Sequence, residues 1–562
     1  MGLNIAKLRN KINMKNLFLV LLMCICMLTY AQKPLLDSAS LAQKPVFTSL
    51  EQALKTPLEV YKLSLIDGEF TTLPKEIGNF PNLQEFFLSN YKNLKHLPKE
   101  IGNLTNLNKL YIDYCESLNA LPKEIGNLAR LNVLQIRKCR NIISLPKEIG
   151  NLAGLETLAL TDNYNLVAPT IEIYNLKNLK ELHLSQPLSK EIENLTNLKI
   201  LYLTNDHRLT SLPKETGNLT NLKILHLING YGLTSLPKEI GNLANLKILH
   251  LNNCDKLLSL PNEIEKLTNL EELHLSGGDL AMFLVEIKKL KNLKLLNLSG
   301  FNHITSFPKE IENLTNLKEL HLQNYDKLTS LPKEMGNLTS LEKLTLIGNG
   351  KIITLPKEIC NLKNLKILYL GLHADFSFLV EGGMKNLINL REIKLFNCHN
   401  LTPLIKEAGN VPNLEILNLS YNNYMDTLPA EIGNLKKLKE LNIYNYTNLN
   451  SLPKEISRLT NLKVLALWWR ENIISLPKEI GQLTNLKELS LRYCPNINSL
   501  PKEIGNLVSL EKINLAYNYS FDTLPAEITQ LKNLKSLDIV NTKISQEEKN
   551  KLRKMLPNCE IK

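Results

Sequence analysis

Three histidines recur at a constant spacing, and their side chains are the first candidates for chemistry in this chain. His226, His250 and His274 lie 24 residues apart, each in a Leu-His-Leu triplet. Imidazole binds transition metals and titrates near neutral pH, so the three rings on neighbouring strands would form a metal site or a pH-sensitive patch. Duplication of one repeat explains the same spacing without a ligand. Because the pattern identifies no carboxylate that would orient the rings, we expect no cofactor and keep the metal site as an alternative.

A second group of side chains could recognise another molecule. It combines both tryptophans of the chain with phenylalanine, tyrosines and arginines near the ends of successive predicted strands: Phe396, Tyr421, Tyr444, Trp468, Trp469, Arg470, Arg492, Tyr493 and Tyr517. Aromatic and arginine side chains are enriched at the energetic centres of protein interfaces. Their identities differ from repeat to repeat, which copying alone does not produce. We predict a ligand-binding surface here; the alternative is that the rings only pack on one another along the sheet.

Catalytic signatures are missing from the sequence. It contains no GxSxG, HExxH, P-loop or dinucleotide-binding phrase, and Cys360 has no histidine nearby in the sequence to activate it. Of nine cysteines, five recur at one position of a repeat, where a small side chain suits a turn, and no Cys/His spacing indicates a zinc site. We therefore predict that the protein is not an enzyme. If any cysteines pair, the pair is Cys115 with Cys139, in adjacent repeats.

All these side chains are carried by one repeated phrase, LPKEIGNLTNLKxLxLxx(N/C), which recurs mostly every 24 residues. In one copy, Leu110 and Ile112 follow the LxxLxL spacing that places apolar side chains on one side of a short strand. Pro122 ends the pairing, and the KEIGNL turn then adds Ile125 and Leu128 to the core. One repeat cannot bury its own leucines, so about twenty repeats must stack into a solenoid.

The phrase resembles the LPxEIGxL class of leucine-rich repeats. Similar repeats occur in plant intracellular disease-resistance proteins, in the Ras-pathway leucine-rich scaffold and in many repeat proteins of Bacteroidetes-type bacteria. The resemblance covers about Leu58 to Asn541. It implies an α/β repeat solenoid, an arc with a concave parallel β-sheet and about 20 repeats. It also implies a non-catalytic protein-interaction module that presents variable side chains on its concave face.

The amino terminus predicts export. Residues 1–31 have the pattern of a signal peptide, with an apolar run and a small residue at the cleavage position, Ala31; Met14 is an alternative start. Cys24 and Cys26 leave a lipid anchor as an alternative. The mature protein is expected in the periplasm, outside the cell or at the cell surface. The intracellular alternative holds if the signal peptide is not used.

The remaining boundaries follow from helix signals at both ends. Residues 32–57 are expected to form a polar lead and a cap helix begun by Ser49, and residues 58–541 the leucine-rich repeat domain. Residues 542–562 are expected to form a second cap, with an amphipathic helix that follows Ser545. Caps of this kind cover the open ends of a solenoid.

The net charge of +12 does not by itself indicate nucleic-acid binding. Most lysines recur in the Lys-Glu pair of each turn, where charge is partly neutralised and no single basic face results. We expect no nucleic acid and no membrane span, but a monomer that binds a protein, with a glycan as the alternative ligand. Two other functions are an intracellular signalling scaffold and a ligase-type effector. The second is disfavoured because only a cap follows Asn541.

Overall fold

The computed structural model describes residues 35–166, 170–204, 209–277, 287–301, 304–325, 327–348, 355–371, 383–398, 401–420, 427–444, 449–468 and 473–562. The predicted signal peptide lies outside these residues. The chain divides into two compact units, Met1–Cys254 and Asp255–Lys562. Each unit consists of short parallel strands that pair in sequence order. This confirms the α/β repeat solenoid expected from the sequence.

Each repeat contributes one short strand. In the first unit the strands are β1 (Val46–Phe47), β2 (Lys62–Ile66), β3 (Glu85–Ser89), β4 (Lys109–Asp113), β5 (Val133–Arg137), β6 (Thr157–Leu160), β7 (Glu181–Leu184), β8 (Ile200–Thr204), β9 (Ile224–Ile228) and β10 (Ile248–Asn252). In the second unit they are β11 (Glu272–Ser276), β12 (Leu295–Ser299), β13 (Glu319–Gln323), β14 (Lys343–Ile347), β15 (Ile367–Gly371), β16 (Glu392–Phe396), β17 (Ile416–Ser420), β18 (Glu440–Tyr444), β19 (Val464–Trp468), β20 (Glu488–Ser490), β21 (Lys512–Asn514), β22 (Ser536–Asp538) and β23 (Glu560–Ile561).

The KEIGN segment of most repeats forms a single 3-10 turn. In the first unit these turns are Lys75–Asn79, Lys99–Asn103, Lys123–Asn127, Lys147–Asn151, Ile171–Asn175, Lys190–Asn194, Lys214–Asn218 and Lys238–Asn242, and a shorter 3-10 turn, Pro57–Glu59, precedes β2. In the second unit they are Asn262–Lys266, Lys309–Asn313, Lys333–Asn337, Lys357–Asn361, Gly383–Asn386, Ala430–Asn434, Lys454–Arg458, Lys478–Gln482, Lys502–Asn506 and Ala526–Gln530. Four α-helices complete the described elements: α1 (Ser38–Ala42), α2 (Leu50–Lys55), α3 (Leu401–Ala408) and α4 (Gln546–Met555).

The core lies between the strands and the 3-10 turns, as the leucine spacing predicts. In the repeat used above, Leu110, Ile112, Ile125 and Leu128 are fully buried. The same positions in the flanking repeats cover them on both sides, since each strand pairs with its neighbours without a register shift. Burial of each such side chain contributes roughly 1.5–3 kcal/mol, and the contribution depends on stacking because a single repeat has no second layer.

The residue after each strand satisfies the backbone of the turn. Buried Asn163 donates from Nδ2 to the carbonyl oxygen of Ile136 at 2.8 Å, and its Oδ1 accepts from the backbone N–H of Cys139 at 2.9 Å. Where the repeat has cysteine, the thiol takes the same place: Cys139 Sγ donates to the carbonyl oxygen of Ile112 at 3.6 Å. The predicted role of this position, a small or amide side chain for a turning backbone, is therefore confirmed.

A second set of asparagines, in the TNL part of the phrase, was not identified from the sequence. Each donates from Nδ2 to a backbone carbonyl oxygen of the preceding repeat; Asn221 reaches Thr196 at 2.9 Å and Asn245 reaches Thr220 at 2.8 Å. The same bond recurs in the second unit, for example from Asn485. Because these bonds link successive repeats, the amide explains why the phrase retains asparagine beside its leucines.

Both ends of the described chain carry helices where the sequence predicts them. Ser49 caps α2 by accepting from the backbone N–H of Gln52 at 3.4 Å, and Ser545 caps α4 by accepting from Glu548 at 3.2 Å. The last strand, β23, pairs with β22. The described part of the polar lead before α2 contains helix α1 and strand β1, and β1 pairs with β2.

Helix α3 replaces the usual 3-10 turn between β16 and β17. Its residues Leu404, Ile405 and Ala408 are buried, and the sequence LTPLIKEA has its apolar residues at helical spacing. The Leu-Pro-Lys-Glu order that precedes the 3-10 turns is absent from this repeat, and a helix forms in place of the turn. The core of this repeat is filled from one face of a helix.

Lysine and glutamate side chains in equivalent positions of neighbouring repeats form rows of ion pairs. Glu511 lies between Lys487 at 3.0 Å and Lys535 at 2.6 Å. Glu415 lies in the same way between Arg391 and Lys439. These pairs neutralise part of the lysine charge, but their lysines lie just before the strands and are not those of the Lys-Glu pairs in the turns.

We expect the ion pairs of Glu511 to stabilise the second unit at neutral pH and to lose this contribution in acid. Hydrogen bonds from Lys535 and Lys487 lower the pKa of Glu511 from 4.5 to about 2. A depressed pKa in the folded state stabilises the fold above pH 4.5, and this contribution is lost as the pH falls through about 2. Melting temperatures measured from pH 6 to pH 2 should therefore fall less steeply for Glu511→Gln than for the parent. Parallel curves for the two proteins would contradict the assignment.

None of the helices in the described ranges is long and apolar enough to cross a membrane.

Candidate ligand-binding surface

The predicted ligand-binding residues of the second unit lie at the carboxyl ends of its strands. Phe396, Tyr444 and Trp468 are the last residues of β16, β18 and β19, and each is half-buried. Their position follows from strand alternation. Leu395, Ile443 and Leu467 point into the core, so the next residue points away from the core, to the face of the sheet that we call the outer face.

Tyr444 and Trp468 form a contacting pair on this face. They are in register on adjacent strands, with ring centroids 4.8 Å apart and planes inclined by 39°. Trp468 Nε1 donates to the hydroxyl of Ser490, which is buried on β20. Burial raises the pKa of Tyr444. The hydrogen bond fixes the indole orientation, so the pair is a rigid aromatic surface rather than a mobile side chain.

A second group lies beside it, just beyond the ends of β20 and β21. The Arg492 guanidinium lies 5.0 Å from the ring centre of Tyr517. Tyr493 stacks on Tyr517 at 5.4 Å and meets Tyr519 edge to face at 6.3 Å. Tyr493 and Tyr517 have φ angles of 60° and 64°, a conformation that favours glycine or asparagine. Equivalent positions elsewhere carry asparagine, such as Asn397 and Asn541. Tyrosine is less favourable than asparagine in this backbone conformation, so its presence at Tyr493 and Tyr517 has a conformational cost.

The structure brings only part of the predicted set together. Ser420 on β17 lies in register with Phe396 and separates it from Tyr444 by one strand. Tyr421, Trp469 and Arg470 lie outside the described residues. Tyr519, 49% exposed, was missed from the sequence because it follows the turn instead of the strand. The sequence signal that could have identified Tyr519 is its position two residues after Tyr517.

These contacts are compatible with both interpretations of the cluster. Tyr444 packs on Trp468, and Tyr493 packs on Tyr517, as the packing alternative requires. The rings also remain half-exposed on the outer face, as a binding surface requires. The ligand-binding assignment therefore stays a prediction.

The histidines of the first unit form a stack of rings on the outer face. His226 and His250 are in register on β9 and β10, with centroids 4.1 Å apart and planes inclined by 5°. Tyr202 continues the column at 5.3 Å from His226. In the second unit, His274 Nε2 lies 3.8 Å from Glu272, and burial lowers its pKa. The metal alternative at these histidines stays a prediction.

A comparison of the chain with family models agrees with the repeat geometry. A family described as a leucine-rich repeat region matches residues 115–207, 185–307, 305–444 and 406–496, which together span more than half of the sequence. The chain belongs to the leucine-rich repeat family. No curated protein matches this leucine-rich repeat chain.

Solved leucine-rich repeat structures align along most of its length. One is a leucine-rich repeat protein of Leptospira interrogans, which is 31% identical to this chain. The alignment covers 92% of this chain and 99% of the Leptospira chain, with a TM-score of 0.41. The plant peptide hormone receptor RGFR1, in complex with RGF2, is 22% identical and covers 92% and 96% of the two chains, with a TM-score of 0.43. The Arabidopsis HAESA receptor kinase ectodomain, in complex with a peptide hormone, is 22% identical over 84% and 83%, with a TM-score of 0.44.

Most cysteines in the described part of this leucine-rich repeat chain are buried. In the described part of the chain all seven carry free thiols. A hydrogen bond with Cys115 and burial raise the pKa of Cys139, and burial raises the pKa of Cys360 to about 11. A thiol with a raised pKa is a poor nucleophile at neutral pH. This agrees with the family, whose members are in general binding modules.

Proposed function

We propose that this leucine-rich repeat chain is an exported, non-catalytic binding module of the LPxEIGxL class found in Bacteroidetes-type bacteria. It acts as a monomer and binds a protein ligand through the outer face of its second unit. One observation carries the proposal: Tyr444 and Trp468 form a rigid, half-exposed aromatic pair, with Arg492, Tyr493 and Tyr517 in contact with one another beside it.

The chemistry of this surface supports a protein ligand. Tryptophan, tyrosine and arginine combine a large apolar contact area with donors that can be satisfied at the rim, and they dominate interface energetics. Trp468 already has its indole N–H satisfied by Ser490, so covering its ring with a ligand leaves no buried donor without a partner. Aromatic rings also stack on sugars, so the glycan alternative is an outcome of the same test.

The surface can be tested by truncating one ring at a time. Trp468→Ala and Tyr493→Ala should each weaken binding by about 2 kcal/mol, since central aromatic residues contribute at this level. Phe87→Ala is the matched control, because Phe87 is a half-buried ring on the outer face of β3 in the first unit. Binding is measured by capture of partners from host extract, followed by titration of the captured protein, with a thermal melt of each variant.

Each outcome has a distinct meaning. Equal recovery of partners by Trp468→Ala, Tyr493→Ala and the parent would contradict the proposed surface. A large fall in melting temperature together with lost binding would favour the packing interpretation. Recovery of glycan in place of protein would assign the alternative ligand.

Export is tested separately, because the signal peptide lies outside the described residues. Fractionation of the native host should place the chain outside the cytoplasm, and amino-terminal sequencing should find Gln32 as its first residue. A cytoplasmic chain with an intact amino terminus would instead support the intracellular scaffold.

A further inference from the structure

A trough runs along β6 on the outer face of the first unit. Thr157 and Ala159 point outward from this strand and, with Thr161 just beyond its end, form the floor. Ala159 is in register with Gln135 on β5 and His183 on β7. The two walls are thus about 10 Å apart, since adjacent strands are about 4.8 Å apart. The cavity has a volume of about 680 Å³, which lies within the roughly 300–1,000 Å³ typical of ligand-binding sites.

The trough interrupts a column of planar side chains. Phe87 and Tyr111 lie on one side, 6.2 Å apart. On the other side His183 stacks on Tyr202 at 5.2 Å with planes inclined by 26°. Tyr202 covers one face of the His183 imidazole, and the opposite face is directed at the strand that carries Ala159. A planar group placed over Ala159 would continue the column.

The charges around the trough favour a cation. Carboxylates of Glu181 and Asp162 line it, and Arg137 is the one cation among the lining residues. Arg137 is held by buried Asp113 at 3.5 Å, and Gln135 donates to the same carboxylate at 3.0 Å. The charge of Arg137 is therefore largely compensated by the buried carboxylate of Asp113. Glu181 lies 3.9 Å from His183 Nε2, and burial lowers the pKa of His183, so this imidazole is neutral at neutral pH and leaves the Glu181 charge in place.

We propose that the trough binds an arginine side chain of a protein ligand, with the guanidinium stacked on His183 and paired with Glu181. The guanidinium is planar and stacks on rings while it donates hydrogen bonds from its edge, which an ammonium group does not do. The methylene stem covers Ala159, and residues that flank the arginine occupy the rest of the volume. The proposal rests on the proposed function in that the ligand is a protein, but it concerns a different unit.

The test uses the full chain and a small probe. Ligand-observed NMR measures binding of N-acetyl-argininamide and of N-acetyl-citrullinamide, whose urea group has the shape of guanidinium without the charge. We expect the arginine probe to bind at least tenfold more tightly than the citrulline probe. Ala159→Tyr fills the trough with a ring that the same column carries at Tyr111 and Tyr202, and Glu181→Gln removes the charge. Both variants should weaken the arginine probe at least tenfold.

Glu272→Gln is the matched control, because Glu272 begins the same Glu-Leu-His-Leu sequence on β11, and it should leave the probe unaffected. Equal binding of the two probes, no binding of either, or arginine binding that survives both Ala159→Tyr and Glu181→Gln would overturn the proposal. Partner capture by the Trp468→Ala variant reports on the second unit alone. Loss of the arginine site and failure of the proposed function are therefore distinguished.

Discussion

Removal of residues 545–562 is expected to unfold the last repeats and cause aggregation. This segment buries Leu552, Leu556 and Ile561 against the end of the second unit. It also pairs β23 with β22, where the backbone N–H of Lys562 donates to Leu537 at 3.1 Å. Each buried side chain contributes roughly 1.5–3 kcal/mol, so the loss exceeds what a terminal repeat with one neighbour can tolerate.

Hydrogen exchange and light scattering measure this result directly. The truncated chain should lose protection first at β22 and then at preceding strands, and should form oligomers at micromolar concentration. Ser545→Ala is the control, since it removes only the cap hydrogen bond and should cost about 1 kcal/mol. A truncated chain that stays monomeric and melts like the parent would show that this segment is not a cap.

Replacement of Asn163 by alanine is expected to cost about 3 kcal/mol, because it leaves the buried Ile136 carbonyl and the buried Cys139 N–H without partners. Asn163→Cys should recover most of this loss. The thiol of Cys139 already donates to the carbonyl of Ile112 in the preceding repeat, and its sulfur accepts from the backbone of Cys115.

Chemical denaturation and hydrogen exchange at the Cys139 amide compare the two variants with the parent. The expected order of stability is parent, Asn163→Cys, Asn163→Ala. If Asn163→Cys is as unstable as Asn163→Ala, cysteine does not replace asparagine at this position, and the account of the five repeated cysteines is wrong.

The repeat architecture could be predicted from the sequence because its signals are local and periodic. Leucine spacing places Leu110 and Ile112 in the core, and proline with KEIGN marks the turn at Lys123–Asn127. Helices α2 and α4 were predicted from their serine caps. These features depend on residues a few positions apart, so a short segment of the sequence is enough to predict each of them.

Other features depend on neighbouring repeats and were missed. The TNL asparagines, such as Asn245, bond to carbonyls about one repeat away, and strand β1 forms only because β2 offers an edge. The trough at Ala159 exists because larger side chains stand on β5 and β7. In the candidate surface, the contact of Tyr444 with Trp468 followed from the register, but the place of Tyr519 beside Tyr493 depends on the turn geometry.

The central claim is that the outer face of the second unit binds a protein. Hydrogen exchange of the captured complex against the free chain tests it most directly. The account predicts that protection on binding is strongest in β18 and β19 and in the turn at Tyr493, with little change in the 3-10 turns such as Lys454–Arg458. Protection concentrated in the 3-10 turns, with β18 and β19 unchanged, would contradict it.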